Sequence, residues 1–137
     1  MPLKQFRLME TRAATLELVS NALIELRFKP DVKLNAECMA EVIHAKRTLI
    51  ANRTVDVLAV FPENLDFELS LLNIDHHAVN HGCGGAHRLA LAAQSTFNKR
   101  LSDIYFRYHP RPHPTGVFAT EADARKWLAA KVFASAP

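Results

Sequence analysis

The last third of the chain limits the fold more than any other stretch. Arg88-Leu89-Ala90-Leu91-Ala92-Ala93 is short and apolar at successive positions, as a strand covered on both faces requires. Ser95 stands where a helix cap is needed, ahead of Phe97, Leu101, Ile104, Tyr105 and Tyr108 at helical spacing. Pro110, Pro112 and Pro114 end that helix, and Gly116-Val117-Phe118-Ala119 reads as a short strand. Thr120-Glu121-Ala122-Asp123 is a capping-box variant with Asp in the place of Glu, and it opens a final helix buried through Ala124, Trp127 and Leu128. These 40-odd residues therefore form one strand-helix-strand-helix unit.

The upstream chain adds compatible pieces. Alternation around Leu16/Leu18 and Leu26/Phe28, broken at Asn21, predicts a β-hairpin over 14–28 that Pro30 closes. Asn35 caps a helix expected over 35–52, with Met39, Val42, Ile43, Leu49 and Ile50 on its apolar face and Lys46 and Arg47 toward its negative end. Val55 to Phe61 is β-branched and almost continuously apolar, a central strand ended by Pro62. Leu71, Leu72, Ile74, Ala78 and Val79 suggest a helix over 66–81, stopped by Gly82, Gly84 and Gly85. The expected order is β-β-α-β-α-β-α-β-α: an α/β fold with a mostly parallel sheet and an N-terminal antiparallel hairpin at its edge.

Composition restricts the class. At 137 residues the chain suits a single domain over 1–137, with residues 1–12 as an N-terminal extension, and 49% apolar with 23% charged residues is an ordinary globular balance. No run of 18 apolar residues exists to span a bilayer. Lys4 and Arg7 precede only Leu8-Met9 before charged Glu10 and Arg12, so no secretory signal is expected and the location is expected to be cytoplasmic. Cys38 and Cys83 lack CxxC spacing and read as reduced thiols. A formal charge of +3 from 17 Lys and Arg against 14 Asp and Glu is too small an excess to name nucleic acid as a partner.

That element order, with Ala90-Leu91-Ala92-x-x-Ser95 and Pro112-x-Pro114-x-x-Val117-Phe118-x-Thr120-x-x-x-Ala124-x-x-Trp127-Leu128, resembles the small bacterial proteins of SpoIIAA-like fold. The resemblance runs from Ala14 to Leu128 and rests on structural motifs. Relatives of that fold include STAS domains such as anti-sigma factor antagonists, and CRAL-TRIO lipid-carrying proteins. The resemblance implies a fold without implying one chemistry. In the antagonists a phosphorylatable Ser or Thr follows Asp at the start of the helix after the central strand. The matching stretch Pro62 to Ser70 has no such pair; Ser70 is its hydroxyl, and a phosphate there would stand among Asp66, Glu68 and Asp75.

Asp75 to His87 holds four of the seven histidines and one cysteine. In a helix His77 and His81 would share a face at i, i+4, and Cys83 or Asp75 would complete a zinc site. No HExxH or second CxxC accompanies them, and a solvated helix end with scattered histidines explains them as well. Neither Ser70 nor Ser95 lies in a GxSxG elbow, and Cys83 near His81 and His87 lacks a third orienting group, so no enzymatic activity is expected. Lys99, Arg100, Arg107 and Arg111, interleaved with Tyr105, Tyr108, His109 and His113, form the most basic stretch, an anion or partner patch or else the solvated side of a helix.

The expectation is a non-enzymatic interaction or small-ligand-binding module without a cofactor, its partner an unknown protein or small ligand. A STAS-type regulatory antagonist is one alternative. Another is a carrier of an apolar ligand, which needs a cavity between the sheet and the helices bearing Leu71, Leu72 and Phe97, Leu101, Tyr105. A ligand site is expected at the C-terminal ends of the strands, at the loops after Phe61 and Ala93. An edge hairpin preceded by Phe6, Leu8 and Met9 leaves room for a homodimer.

Overall fold

The computed structural model describes residues 7–76 and 86–134, with side chains as far as 130. The strands are β1 (Leu8–Glu10), β2 (Ala14–Ser20), β3 (Leu23–Phe28), β4 (Lys33–Leu34), β5 (Val55–Val60), β6 (Asp66–Phe67), β7 (Ala86–Ala92) and β8 (Thr115–Phe118). The helices are α1 (Ala36–Ile50), α2 (Thr96–Tyr108) and α3 (Glu121–Ala134), with a 3-10 turn over Leu69–Asn73. Six strands form one sheet in the order β1-β2-β3-β5-β7-β8. The β1-β2 and β2-β3 pairs are antiparallel, and β3-β5, β5-β7 and β7-β8 are parallel. The expected α/β class, mostly parallel sheet and N-terminal hairpin are therefore present. No helix among the described residues is long and apolar enough to cross a membrane.

The caps work as the sequence predicts. Asn35 accepts from the Cys38 N–H at 2.9 Å, Ser95 from Asn98 at 3.0 Å, and Thr120 from Asp123 at 3.1 Å, each satisfying a donor that the first helical turn leaves open. Strand alternation then sorts the core into two layers. Leu26, Val57, Ala59 and Leu91 pack on one face of the sheet with Val42 and Leu49 of α1, Leu71 of the 3-10 turn and Phe106 of α2. Leu58, Val60, Ala90 and Ala92 pack on the other with Ala124, Trp127 and Leu128 of α3. The small alanines of β7 let α3 lie close against the strand.

Two expectations need correction. Of the helix expected over 66–81, residues 66–75 are not helical: Asp66 and Phe67 pair in parallel with Lys33 and Leu34, a 3-10 turn over Leu69–Asn73 follows, helix begins only at His76, and 77–81 lie outside the described residues. Glu68 precedes that turn without a side-chain cap, and Phe67 is drawn to the core by the β4 pairing, so tertiary contacts outweigh a weak helical pattern. The hairpin is not the edge of the sheet, because Leu8 to Glu10, within the expected extension, pair with Thr15 to Glu17 as a further strand.

Candidate functional site

An apolar cavity of about 140 Å³ lies between the first face of the sheet, α1, the 3-10 turn and α2. Leu26, Val57, Ala59, Leu89 and Leu91 form its floor, Met39, Val42 and Ile43 one wall, and Leu71, Leu72, Leu101, Tyr105 and Phe106 the opposite wall. Leu71, Leu72, Leu101 and Tyr105 are thus brought together as a carrier would need. Phe97 is not among them and stands 65% exposed. The cavity runs under the helices along the sheet face; Phe61 lines one end, whereas the loop after Ala93 borders a separate polar cleft with Lys99 and Arg100.

The rotation of α2 decides which residues line this space. Of the expected face Phe97, Leu101, Ile104, Tyr105 and Tyr108, Leu101 and Tyr105 line the cavity while Phe97 and Tyr108 are exposed, and Asn98, Ser102, Phe106 and His109 turn inward beside them. Three polar contacts set that rotation. Asn98 Nδ2 donates to the Leu65 carbonyl at 3.3 Å, His109 Nε2 donates to the Leu72 carbonyl at 2.9 Å, and the Tyr105 hydroxyl accepts from the His76 N–H at 3.1 Å. With α2 turned this way, these polar groups under the helix have their partners.

Lys46 of α1, His76, Ser102, Tyr105 and His113 also belong to the cavity lining, whose surface is almost wholly apolar. Lys46 is 4% exposed and His76 3%, and His76 Nε2 donates to the Leu71 carbonyl at 3.0 Å. Burial lowers the His76 pKa below its ordinary value, with the Leu71 carbonyl opposing, and burial raises that of Tyr105. His113 is lowered first by burial, then by the positive charges of Lys46 and Arg111. Burial thus favours the neutral form of both imidazoles, and Lys46 is a buried lysine beside them in the lining.

The sequence candidates fall elsewhere. His77, His81 and Cys83 lie outside the described residues, and among the described residues no three His, Cys, Asp or Glu side chains gather to hold a metal. Asp75 is engaged by Arg111 at 2.8 Å. Ser70 is exposed on the 3-10 turn. Ser95 serves as a cap, and Cys38 is a buried free thiol. In the basic stretch Arg100 and Arg107 are exposed, Lys99 pairs with Asp103 at 3.2 Å, and the Arg111 side chain is only 4% exposed.

Sequence reasoning places none of Lys46, His76, Ser102 and His113 in a cavity: it reads Lys46 only toward the negative end of its helix, His113 only within the basic stretch, and His76 only among the clustered histidines. For Lys46 a signal exists: it sits between Ile43 and Leu49 at the spacing of the buried stripe 39, 42, 43, 46, 49, 50, a cation where the period demands an apolar residue. No local pattern marks the other three. Comparison with known proteins matches residues 17–131 to a family model described as Domain of unknown function (DUF7793). No curated protein and no solved structure matches the chain.

Proposed function

We propose that this chain, which belongs to the DUF7793 family, is a non-enzymatic module that binds a small apolar ligand between its sheet and the helical layer of α1 and α2. The cavity carries this reading. Protein interiors pack as densely as organic crystals, so apolar side chains left facing unfilled space of this size lack contacts that an apolar ligand would supply. Apolar voids near 150 Å³ accept molecules of about the size of benzene. The SpoIIAA-like architecture and a cytoplasmic location belong to the same proposal, since that fold family includes carriers of apolar molecules.

Titration of the chain with 1-hexanol, followed by ligand-detected NMR and by thermal melting, tests it. Saturable binding with a rise in melting temperature is expected, and Ala59→Leu, which fills the floor from the central strand, abolishes binding without loss of stability. Absence of saturable binding up to the solubility limit, or equal binding by the filled variant, sinks the proposal.

A second reading, docking of a protein partner, is favoured by the exposed Phe97 and Tyr108 beside exposed Arg100 and Arg107 on the outer side of α2. Analytical ultracentrifugation of the wild type and of a Phe97→Ser, Tyr108→Ser double variant tests the simplest form, self-association. A concentration-dependent dimer that the variant loses supports it.

A further inference from the structure

We infer that the outer side of α2 docks on the segment 63–69 of a second copy of this chain, and that the contact is reciprocal, a basic strip on an acidic strip twice over. The inference rests on the docking reading of α2 and names its partner. Phe97, Arg100, Ile104, Arg107 and Tyr108 follow one another at i, i+3, i+7, i+10 and i+11, which places them on a single stripe of the helix. Phe97 is 65% exposed and Tyr108 73%, and both arginines are exposed. Asp103, which stands between the two arginines in sequence, is taken by Lys99 at 3.2 Å.

An acidic strip lies alongside. Glu63, Asp66 and Glu68 are exposed next to Leu69, itself 61% exposed, and Glu68 makes no side-chain cap to the 3-10 turn that follows it. Among the described residues no ion pair engages Glu63, Asp66, Glu68, Arg100 or Arg107. Hydrogen bonds hold the acidic segment along the helix: Asn98 Nδ2 donates to the Leu65 carbonyl at one end of α2, and His109 Nε2 donates to the Leu72 carbonyl at the other. The two strips are therefore neighbours of opposite sign that run in the same direction, each with large apolar side chains open to water. A two-fold axis along the seam between them lays the basic strip of each copy on the acidic strip of the other and closes the pair. An axis across the seam would set arginine on arginine and carboxylate on carboxylate. Charge complementarity thus selects one of the two symmetric arrangements. A 13-residue helix is about 20 Å long, and a contact of that length suits a reversible dimer and not a permanent one.

Sedimentation equilibrium of the full chain at about 0.05 M and about 0.5 M salt tests it, with two charge-reversed variants, Arg100→Glu with Arg107→Glu and Glu63→Lys with Glu68→Lys, whose fold is checked by circular dichroism. The wild type is expected to dimerise at low salt and to do so more weakly at high salt. Each reversal alone is expected to weaken the dimer about tenfold or more, because it sets like charges against one another in both halves of the contact. An equimolar mixture of the two variants is expected to form a mixed dimer about as tight as the wild type, since each reversed strip then meets its opposite. A wild type that stays monomeric up to about 1 mM overturns the inference, and so does a mixture no tighter than either variant alone. If both reversals leave the dimer unchanged while Phe97→Ser with Tyr108→Ser abolishes it, this inference fails and the docking reading of α2 stands. If neither the reversals nor the serine variant moves it, both fail. Should one reversed variant not fold, the other and the salt dependence decide.

Discussion

Gly116 shows how closely the second face of the sheet is packed. A Cβ placed there would stand 2.7 Å from Phe118 Cε2 and 2.8 Å from its Cζ, with Trp127 Cε2 at 3.5 Å. The Phe118 ring tip would have to give way, but Trp127 holds it, with ring centroids 5.6 Å apart. Gly116→Ala is therefore expected to destabilise the protein by about 1–3 kcal/mol in urea denaturation, and Phe118→Leu in the same chain to recover part of the loss. A neutral effect of Gly116→Ala would mean that the ring is free to turn. Asp56 is a second such position. Arg88 Nε donates to it at 2.9 Å while Arg88 Nη1 donates to the Leu128 carbonyl at 3.0 Å, tying β5, β7 and α3 together. Asp56→Ala leaves a buried guanidinium short of its counter-charge and is expected to cost about 3 kcal/mol, whereas Asp56→Leu with Arg88→Met costs far less. Equal losses in the two would assign the effect to packing and not to charge.

Helix α3 is held by an ion-pair lattice as well as by its apolar side. Arg27 of β3 pairs with Glu121 at 2.8 Å and Glu25 at 3.1 Å, and Arg125 pairs with the same two carboxylates at 2.8 Å. The Arg27 hydrogen bond, helped by Arg125, holds the Glu121 carboxyl down to about 2 from an ordinary 4.5. A depressed carboxylate stabilises the fold above its unfolded value and loses that contribution as pH falls toward its folded one. Glu121→Gln is thus expected to lower the melting temperature at pH 6, with the difference from wild type shrinking below pH 4.5 and vanishing near pH 2. Added salt reduces it, since these groups meet solvent. A difference that persists at pH 2 would show that Glu121 acts through packing. The 3-10 turn behaves in the opposite way: no side chain caps the N-terminal end of Leu69–Asn73, and its position comes from the β4-β6 pairing and from its contacts with α2. A helix with a strong cap keeps its sequence-encoded form, and a segment without one takes the shape its neighbours impose.

The sheet order places α1 and α2 over one face and α3 over the other, and the cavity opens only on the first. A ligand bound to the folded state alone stabilises the whole molecule by mass action. At a free concentration one hundred times its dissociation constant, the bound probe is expected to add about 2.7 kcal/mol, or about 10 °C in melting temperature. A melting curve that does not move with ligand concentration would count against the site. The sequence by itself determined the strands β2, β3, β5, β7 and β8, the three capped helices and the parallel, α/β character of the sheet. Those features follow from period, branching and capping, which act over a few neighbouring residues. It did not determine which side of α2 faces inward, that Arg111 turns from solvent to Asp75, or that residues 66–75 forgo a helix. Nor did it separate a cavity from a filled core, because Leu71, Val57, Met39 and Leu101 are equally apolar in both. Only the tertiary structure decided these points, for burial and empty volume depend on how elements distant in sequence approach one another, and that distance is written in no local pattern.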